Sequence, residues 1–165
     1  RMVHLAFGLA PAYAPPRLVA LTNVVFALGM VVVLLGVVVT GAGPHSGDGG
    51  AQRNGLSTEW TAKVHAWSVW ALVALTVLCL SLSCTYARLR RLWLGLLAVE
   101  LAQGVVGYVQ YFTHLPVALV LAHMMGTTLV VASLGHRALL TRAAPQNSRG
   151  STAAAMKTTA RYLFE

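Results

Sequence analysis

Four apolar runs, each about as long as a bilayer is thick, constrain this chain more than any other feature of its sequence. They cover residues 18–40, 61–83, 92–112 and 116–140. A hydrocarbon core of about 30 Å takes roughly 20 residues of helix. Backbone polar groups in lipid must be satisfied within the segment itself, so an isolated apolar run crosses as a helix. The expected fold is therefore all-α, an integral membrane four-helix bundle. Composition agrees: of 165 residues, 57% are hydrophobic and 10% charged, with a mean hydropathy of +0.69. A soluble domain carries about a quarter charged residues, so too few are present here to solvate a globular surface.

The links between the runs differ. Residues 41–60 form a long polar loop rich in glycine, residues 86–91 a short basic turn, and residues 113–115 a tighter one. Pro116 suits the first turn of the fourth helix. Residues 1–17 contain Pro11, Pro15 and Pro16 and read as an interfacial or truncated segment ahead of the bundle of residues 18–140. Residues 141–165 read as a basic, mobile tail whose stretch 153–164 could lie on the membrane surface as a helix.

Charge gives the expected orientation. The net charge of +8 invites a nucleic-acid reading, but the basic residues lie between the apolar runs and in the tail, so no nucleic-acid partner is expected. Arg1, Arg17, Arg88, Arg90, Arg91, Arg137, Arg142, Arg149, Lys157 and Arg161 fall on one side, and only Arg53 and Lys63 on the other. By the positive-inside rule both termini are expected to be cytoplasmic and the long loop external. The absence of isoleucine and the ten arginines against two lysines fit a GC-rich bacterial genome, hence a bacterial cell membrane.

The halves repeat faintly. Gly36-Val37-Val38 precedes an outer loop and a helix with an early histidine, and Gly104-Val105-Val106 precedes another such loop and helix. This suggests a helix-loop-helix unit used twice about a pseudo-two-fold axis along the membrane normal.

Of the six histidines, His65 and His123 stand out. Counted from Thr61 and from Pro116, both sit about 6 to 10 Å below the outer end of their helices. An intramembrane histidine is costly, so a pair at one depth is a functional candidate. An iron porphyrin held between them would take one neutral imidazole nitrogen on each axial side. Gly126, Thr127 and Val130 on the fourth helix, Ser68, Val69 and Leu72 on the second, and Gly104 and Gly107 on the third leave room for a flat ring. Another metal or proton role, or plain interhelical hydrogen bonding, stays open on spacing alone. His4, His114 and His136 read as interfacial or solvated, and His45 as an exposed loop residue within reach of a haem propionate.

The third helix carries a polar face of Glu100, Gln103, Gly104, Gly107 and Tyr111, with Gln110 beside it. Glu100 lies in the inner half, where an interhelical hydrogen bond or a proton relay is open to it. Cys79 and Cys84 lack metal-ligand spacing and read as small residues near a helix end.

Longer stretches carry a resemblance. Gly36-Val37-Val38-Val39-Thr40-Gly41-Ala42-Gly43-Pro44-His45-Ser46-Gly47-Asp48 is similar to the outer-loop signature of the haem A synthase family. So are Val64-His65-Ala66, Gln103-Gly104-Val105-Val106-Gly107-Tyr108-Val109-Gln110-Tyr111, Leu115-Pro116 and Ala122-His123-Met124. These patches cover roughly residues 18–140. The resemblance implies an enzyme of two similar four-helix halves that oxidises the C8 methyl of haem O to the formyl group of haem A for the terminal oxidase. In that family the C-terminal histidine pair holds a b-type haem and the N-terminal pair belongs to the substrate side. A catalytic glutamate stands three residues before the first N-terminal histidine, and an arginine follows it.

This chain has Ala62 and Ala66 at those positions, and the cysteine pair that some members carry in an outer loop is missing from residues 41–60. With four helices and Arg1 as its first residue, it resembles the C-terminal half alone. The resemblance therefore carries over His65 and His123 as iron ligands and no catalytic residue, while Gly126, Thr127 and Gly107 are expected beside the cofactor from their place on the helix faces. The implied partners are an N-terminal four-helix half, haem O as substrate of the whole enzyme, haem O synthase or oxidase assembly factors, and the bilayer. A free-standing b-type cytochrome and a cofactor-free structural or assembly protein remain as alternatives.

Overall fold

The computed structural model describes residues 12–44 and 52–143. Its elements are β1 (Ala12–Ala14), α1 (Pro16–Ala42), α2 (Thr58–Leu82), α3 (Ala87–Phe112), α4 (Val117–Leu140) and β2 (Thr141–Ala143). All four helices are long and apolar enough to cross a membrane, so the chain is a multi-pass helical membrane protein. Each helix packs mainly on two neighbours: α1 on α2 and α4, and α3 on the same two. This places α1 diagonal to α3 and α2 diagonal to α4. The end formed by the α1–α2 and α3–α4 links is called the mouth, and the opposite end the base.

Local chemistry fixes the helix ends. Pro16 opens α1, where a missing N–H costs nothing. The Ser57 hydroxyl accepts the Trp60 N–H at 3.3 Å and caps α2. Asn54 closes the far end of α1: its Nδ2 donates to the Val38 carbonyl at 3.0 Å, and its N–H donates to the Gly41 carbonyl at 3.0 Å. Thr58 Oγ1 donates to the Ala42 carbonyl at 2.7 Å. The return of the long loop is thus tied to the helix it left. α3 ends when the Leu115 N–H reaches back to the Gln110 carbonyl at 2.7 Å, with His114 and Leu115 at φ of 64° and 59°. That six-to-one bond is the usual way to satisfy a last-turn carbonyl, though glycine more often occupies the left-handed position.

The pseudo-two-fold expected from the sequence is present, and it is closer than the sequence suggested. The buried residues of α1 include Leu18, Thr22, Val25 and Gly29. One constant shift of 71 positions (Leu18 to Leu89) carries them onto Leu89, Trp93, Leu96 and Glu100, the buried residues of α3. A second shift of 58 positions (His65 to His123) carries Leu72, Thr76 and Cys79 of α2 onto Val130, Leu134 and Arg137 of α4. The repeat register set by Gly36 and Gly104 is corrected by three residues: the mate of Gly36 is Gly107. A β-carbon added to Gly104 meets nothing within 4 Å, whereas Gly36 and Gly107 both face a histidine.

The spacing of buried residues by three and four gives each helix one inward stripe. The rest of each surface is apolar and outward, including Val31, Leu34 and Val37 of α1 and Leu121, Met125 and Leu129 of α4. That is the face a bilayer covers.

Most helix ends lie one to three residues from those read off the sequence, and the start of α3 lies furthest from it. α3 begins at Ala87, so Arg88, Arg90 and Arg91 lie in its first turns and not in a turn of residues 86–91. A tight turn with the Tyr86 N–H donating to the Ser83 carbonyl at 2.9 Å makes the reversal in fewer residues. Residues 12–14 and 141–143, in the segments expected to flank the bundle, pair as parallel strands, Ala12 opposite Thr141 and Ala14 opposite Ala143. Ala14 and Thr141 are buried, because the pairing closes the base over the core. His4, His45 and residues 153–164 lie outside the described residues.

Candidate functional site

His65 is the eighth residue of α2 and His123 the seventh of α4. At 1.5 Å per residue both sit about 9 to 11 Å below the mouth, a closer match than the sequence count. Diagonal helices carry them into one layer, and the two rings lie within electrostatic range of each other.

Each ring rests on a glycine of the preceding helix. A β-carbon added to Gly36 would lie 3.3 Å from Cε1 of His65, and one added to Gly107 would lie 3.3 Å from Cε1 of His123. The next atoms met are Nδ1 at 3.8 Å in both cases, so the two seats agree atom for atom. Each ring also faces a main-chain carbonyl one turn from its glycine, that of Val32 for His65 and that of Gln103 for His123. Val32 and Gln103 are again 71 positions apart. One turn of helix supplies both the gap and the acceptor, and it does so twice. Nδ1 of each histidine is buried without a hydrogen-bond partner. The histidines themselves are half-buried, and two buried imidazole nitrogens left unsatisfied at one depth are unusual in a finished protein.

The remaining residues of the candidate site divide. Gly107 is at the site as expected. Gly126 is buried, but its space is filled: an added β-carbon would fall within 3 Å of three atoms of the Gln103 amide. The glycine there makes room for glutamine rather than for a ring, because Gln103 points across the α3–α4 hairpin. Thr127 turns its hydroxyl back to the His123 carbonyl at 3.0 Å, as Ser68 does to the His65 carbonyl at 2.6 Å. Both hydroxyls therefore serve their own helix. Leu72 and Val130 are buried about two turns further in, each seven residues past its histidine.

The polar face of α3 is rotated from its expected position. Glu100, Gln103, Gly107 and Gln110 share the inward stripe, and Gln103 and Gln110 each bury an unpartnered Oε1. Tyr111 is 41% exposed and packs edge-on against Phe112, off the inward stripe. Aromatic rings gather outside the layer: Trp70 Nε1 donates to the Tyr108 hydroxyl at 3.0 Å, and Trp60 and Trp67 pack edge-to-face. Such rings are at home near a membrane interface. His114 is exposed in the turn, and His136 is partly buried near the base. Cys79 is a buried free thiol and Cys84 an exposed one.

Sequence reading missed two things. Gly36 was part of a motif but not assigned to a ring. Arg137, counted among the cytoplasmic charges, is buried: its guanidinium donates to the carbonyls of Leu92 and Ser133 and lies 5.8 Å from the centre of the Trp93 ring.

Among the described residues no group of three or more His, Cys, Asp or Glu side chains comes together to hold a metal ion. A metal in this layer would need most of its ligands from elsewhere, as iron in a porphyrin has. No protein-family model, curated protein or solved structure matches the chain.

Proposed function

We propose that the chain binds one b-type haem between α2 and α4, with His65 and His123 as axial ligands. The observation that carries this reading is the duplicated seat: two half-buried histidines at one depth, each on a glycine, each with a buried Nδ1 that has no hydrogen-bond partner. A structural pair would be expected to satisfy its nitrogens. Two neutral imidazoles offer what ferric or ferrous haem takes on its axial faces. Bound there, a haem supplies one-electron chemistry. Gly36 and Gly107 would seat the two rings, and Leu72 and Val130, buried about two turns deeper, would form apolar walls below them.

Within this reading we place the chain as the cofactor-holding half of a haem A synthase, in a bacterial cell membrane. The support is the motif likeness around Gly36, His65, Gly107 and His123. The enzyme's reaction would draw on an N-terminal four-helix half, with haem O as substrate, because Ala62 and Ala66 stand where the family's glutamate and arginine stand. The same two alanines favour a second reading, a b-type cytochrome that only carries electrons.

The test is spectroscopic. Purified chain is expected to carry haem with a low-spin six-coordinate spectrum. His65→Ala and His123→Ala each leave a five-coordinate or empty site, while His136→Ala leaves the spectrum unchanged. An unaltered spectrum in the double His65/His123 variant sinks the proposal. The orientation has its own check, since Cys84 is exposed in the basal turn and Cys79 is buried. A membrane-impermeant maleimide should label Cys84 only from the cytoplasmic side. Labelling from outside would invert the bundle.

A further inference from the structure

Towards the base the two-fold breaks. Glu100 on α3 is 4% exposed and Arg137 on α4 is 6% exposed. Their mates under the repeat are Gly29 and Cys79. Thr76 Oγ1 donates to Glu100 Oε1 at 2.9 Å, and the mate of Thr76 is Leu134, which packs over Gly29. So the α1–α4 interface closes this layer with glycine and leucine, while the α2–α3 interface closes it with a carboxyl and a hydroxyl. Packing does not demand the polar version, since the same fold position is filled without it. Charged groups in lipid are costly, and those found there carry a function by default.

The pair is also incomplete. Glu100 Oε2 and Arg137 Nε are buried without partners, although the two groups interact electrostatically. Arg137 spends its other nitrogens on the carbonyls of Leu92 and Ser133. Its guanidinium lies along α3 between Leu92 and Gly95, five residues short of Glu100. Five residues are about 7 to 8 Å between backbone positions. The Glu100 side chain leans back toward the base, and the two groups form no ion pair within 4.0 Å among the described residues. The cation is thus fixed by backbone oxygens and stacked beside Trp93, and it does not close on the carboxylate. An unclosed carboxyl oxygen beside a fixed cation is what a group needs to exist in two protonation states.

We propose that Glu100 and Arg137 form a proton-binding site in the basal half of the bundle, in which Glu100 Oε2 takes and releases one proton beside a guanidinium that stays charged. The O–H bond forms with a proton taken from bulk solvent, and the same proton returns to solvent on release. Thr76 holds the other oxygen throughout. Thr76 and Arg137 interact with Glu100 directly. The other buried residues at these depths are Cys79 on α2, Trp93 and Leu96 on α3, and Thr22, Val25 and Gly29 on α1, of which Cys79 is the one titratable group among the described residues. The two histidines lie nearer the mouth. Nothing in this proposal depends on haem being bound.

The experiment is an infrared pH titration of the purified full chain in detergent, between about pH 5 and pH 9, a range spanning ordinary and burial-shifted carboxyls. A carboxylic-acid carbonyl band should grow as pH falls and should be missing in Glu100→Gln. Carbon-13 glutamate labelling separates the band from Asp48, and its persistence in Glu59→Gln and Glu165→Gln leaves Glu100 as its source even if Glu100→Gln folds poorly. Arg137→Lys should keep the titration. Arg137→Met should displace its midpoint by about one pH unit or more, the usual influence of a neighbouring charge. No Glu100-dependent band anywhere in the range, or a band whose midpoint ignores Arg137→Met, overturns the proposal.

Discussion

The two polar layers of this bundle are built on one duplicated scaffold and use it in opposite ways. Near the mouth the copies are alike: His65 on Gly36 and His123 on Gly107, with Val32 and Gln103 offering the same carbonyl. Near the base they differ: Gly29 and Leu134 on one side, Glu100 and Thr76 on the other. A ligand that spans the axis and takes one bond from each side keeps both copies the same. A group that acts from one side leaves its mate free to become ordinary packing. The likeness at the mouth therefore argues for one shared occupant, and the unlikeness at the base for chemistry local to α3 and α4.

The largest effects should come from breaking the likeness at the mouth. Gly36→Leu and Gly107→Leu each push a side chain into a histidine ring already within van der Waals reach. Each should weaken haem binding by roughly 10- to 100-fold, the scale on which supports of metal ligands act. The two losses should be similar, and Gly104→Leu, which faces open space, should have no effect. A loss from only one of the pair would mean that the seats are not equivalent.

Smaller effects are expected at the base, where the mates differ in kind. Leu134→Ala removes a fully buried side chain over Gly29 and should cost about 2 to 5 kcal/mol in a detergent unfolding assay. Thr76→Ala removes one hydrogen bond from a buried carboxyl and should cost about 1 to 2 kcal/mol. Equal costs at the two mates would show that the layer does not distinguish apolar closure from polar closure.

The spans and the histidine layer were legible because they rest on length and on the 1.5 Å rise. Long apolar runs place helices, and counting from their ends places His65 and His123. The register of the repeat was less legible. Gly104-Val105-Val106 copies Gly36-Val37-Val38 in letters, but the inward stripe of α3 runs through Glu100, Gln103 and Gly107, and only packing reveals that. The same packing turns Tyr111 outward and fills the space at Gly126 with Gln103. Arg137 was hidden by a rule that is right on average: an arginine near a helix end counts as a surface charge. A signal for it did exist. Side chains lean toward the N-terminus of their helix, and α4 starts at the mouth, so an arginine three residues from its basal end leans into the membrane. The pairing of β1 with β2 carried no signal in residues as plain as Ala12–Ala14.

The central claim is that the two histidines make one site, and a haemin titration of the apo-protein tests it most directly. Wild-type chain is expected to bind one equivalent with a sharp end point and a low-spin spectrum. His65→Ala and His123→Ala should each lose that form to the same degree, because one axial ligand is missing either way. If either histidine proves dispensable, or the double variant still binds one haem with the wild-type spectrum, the shared-site account is contradicted.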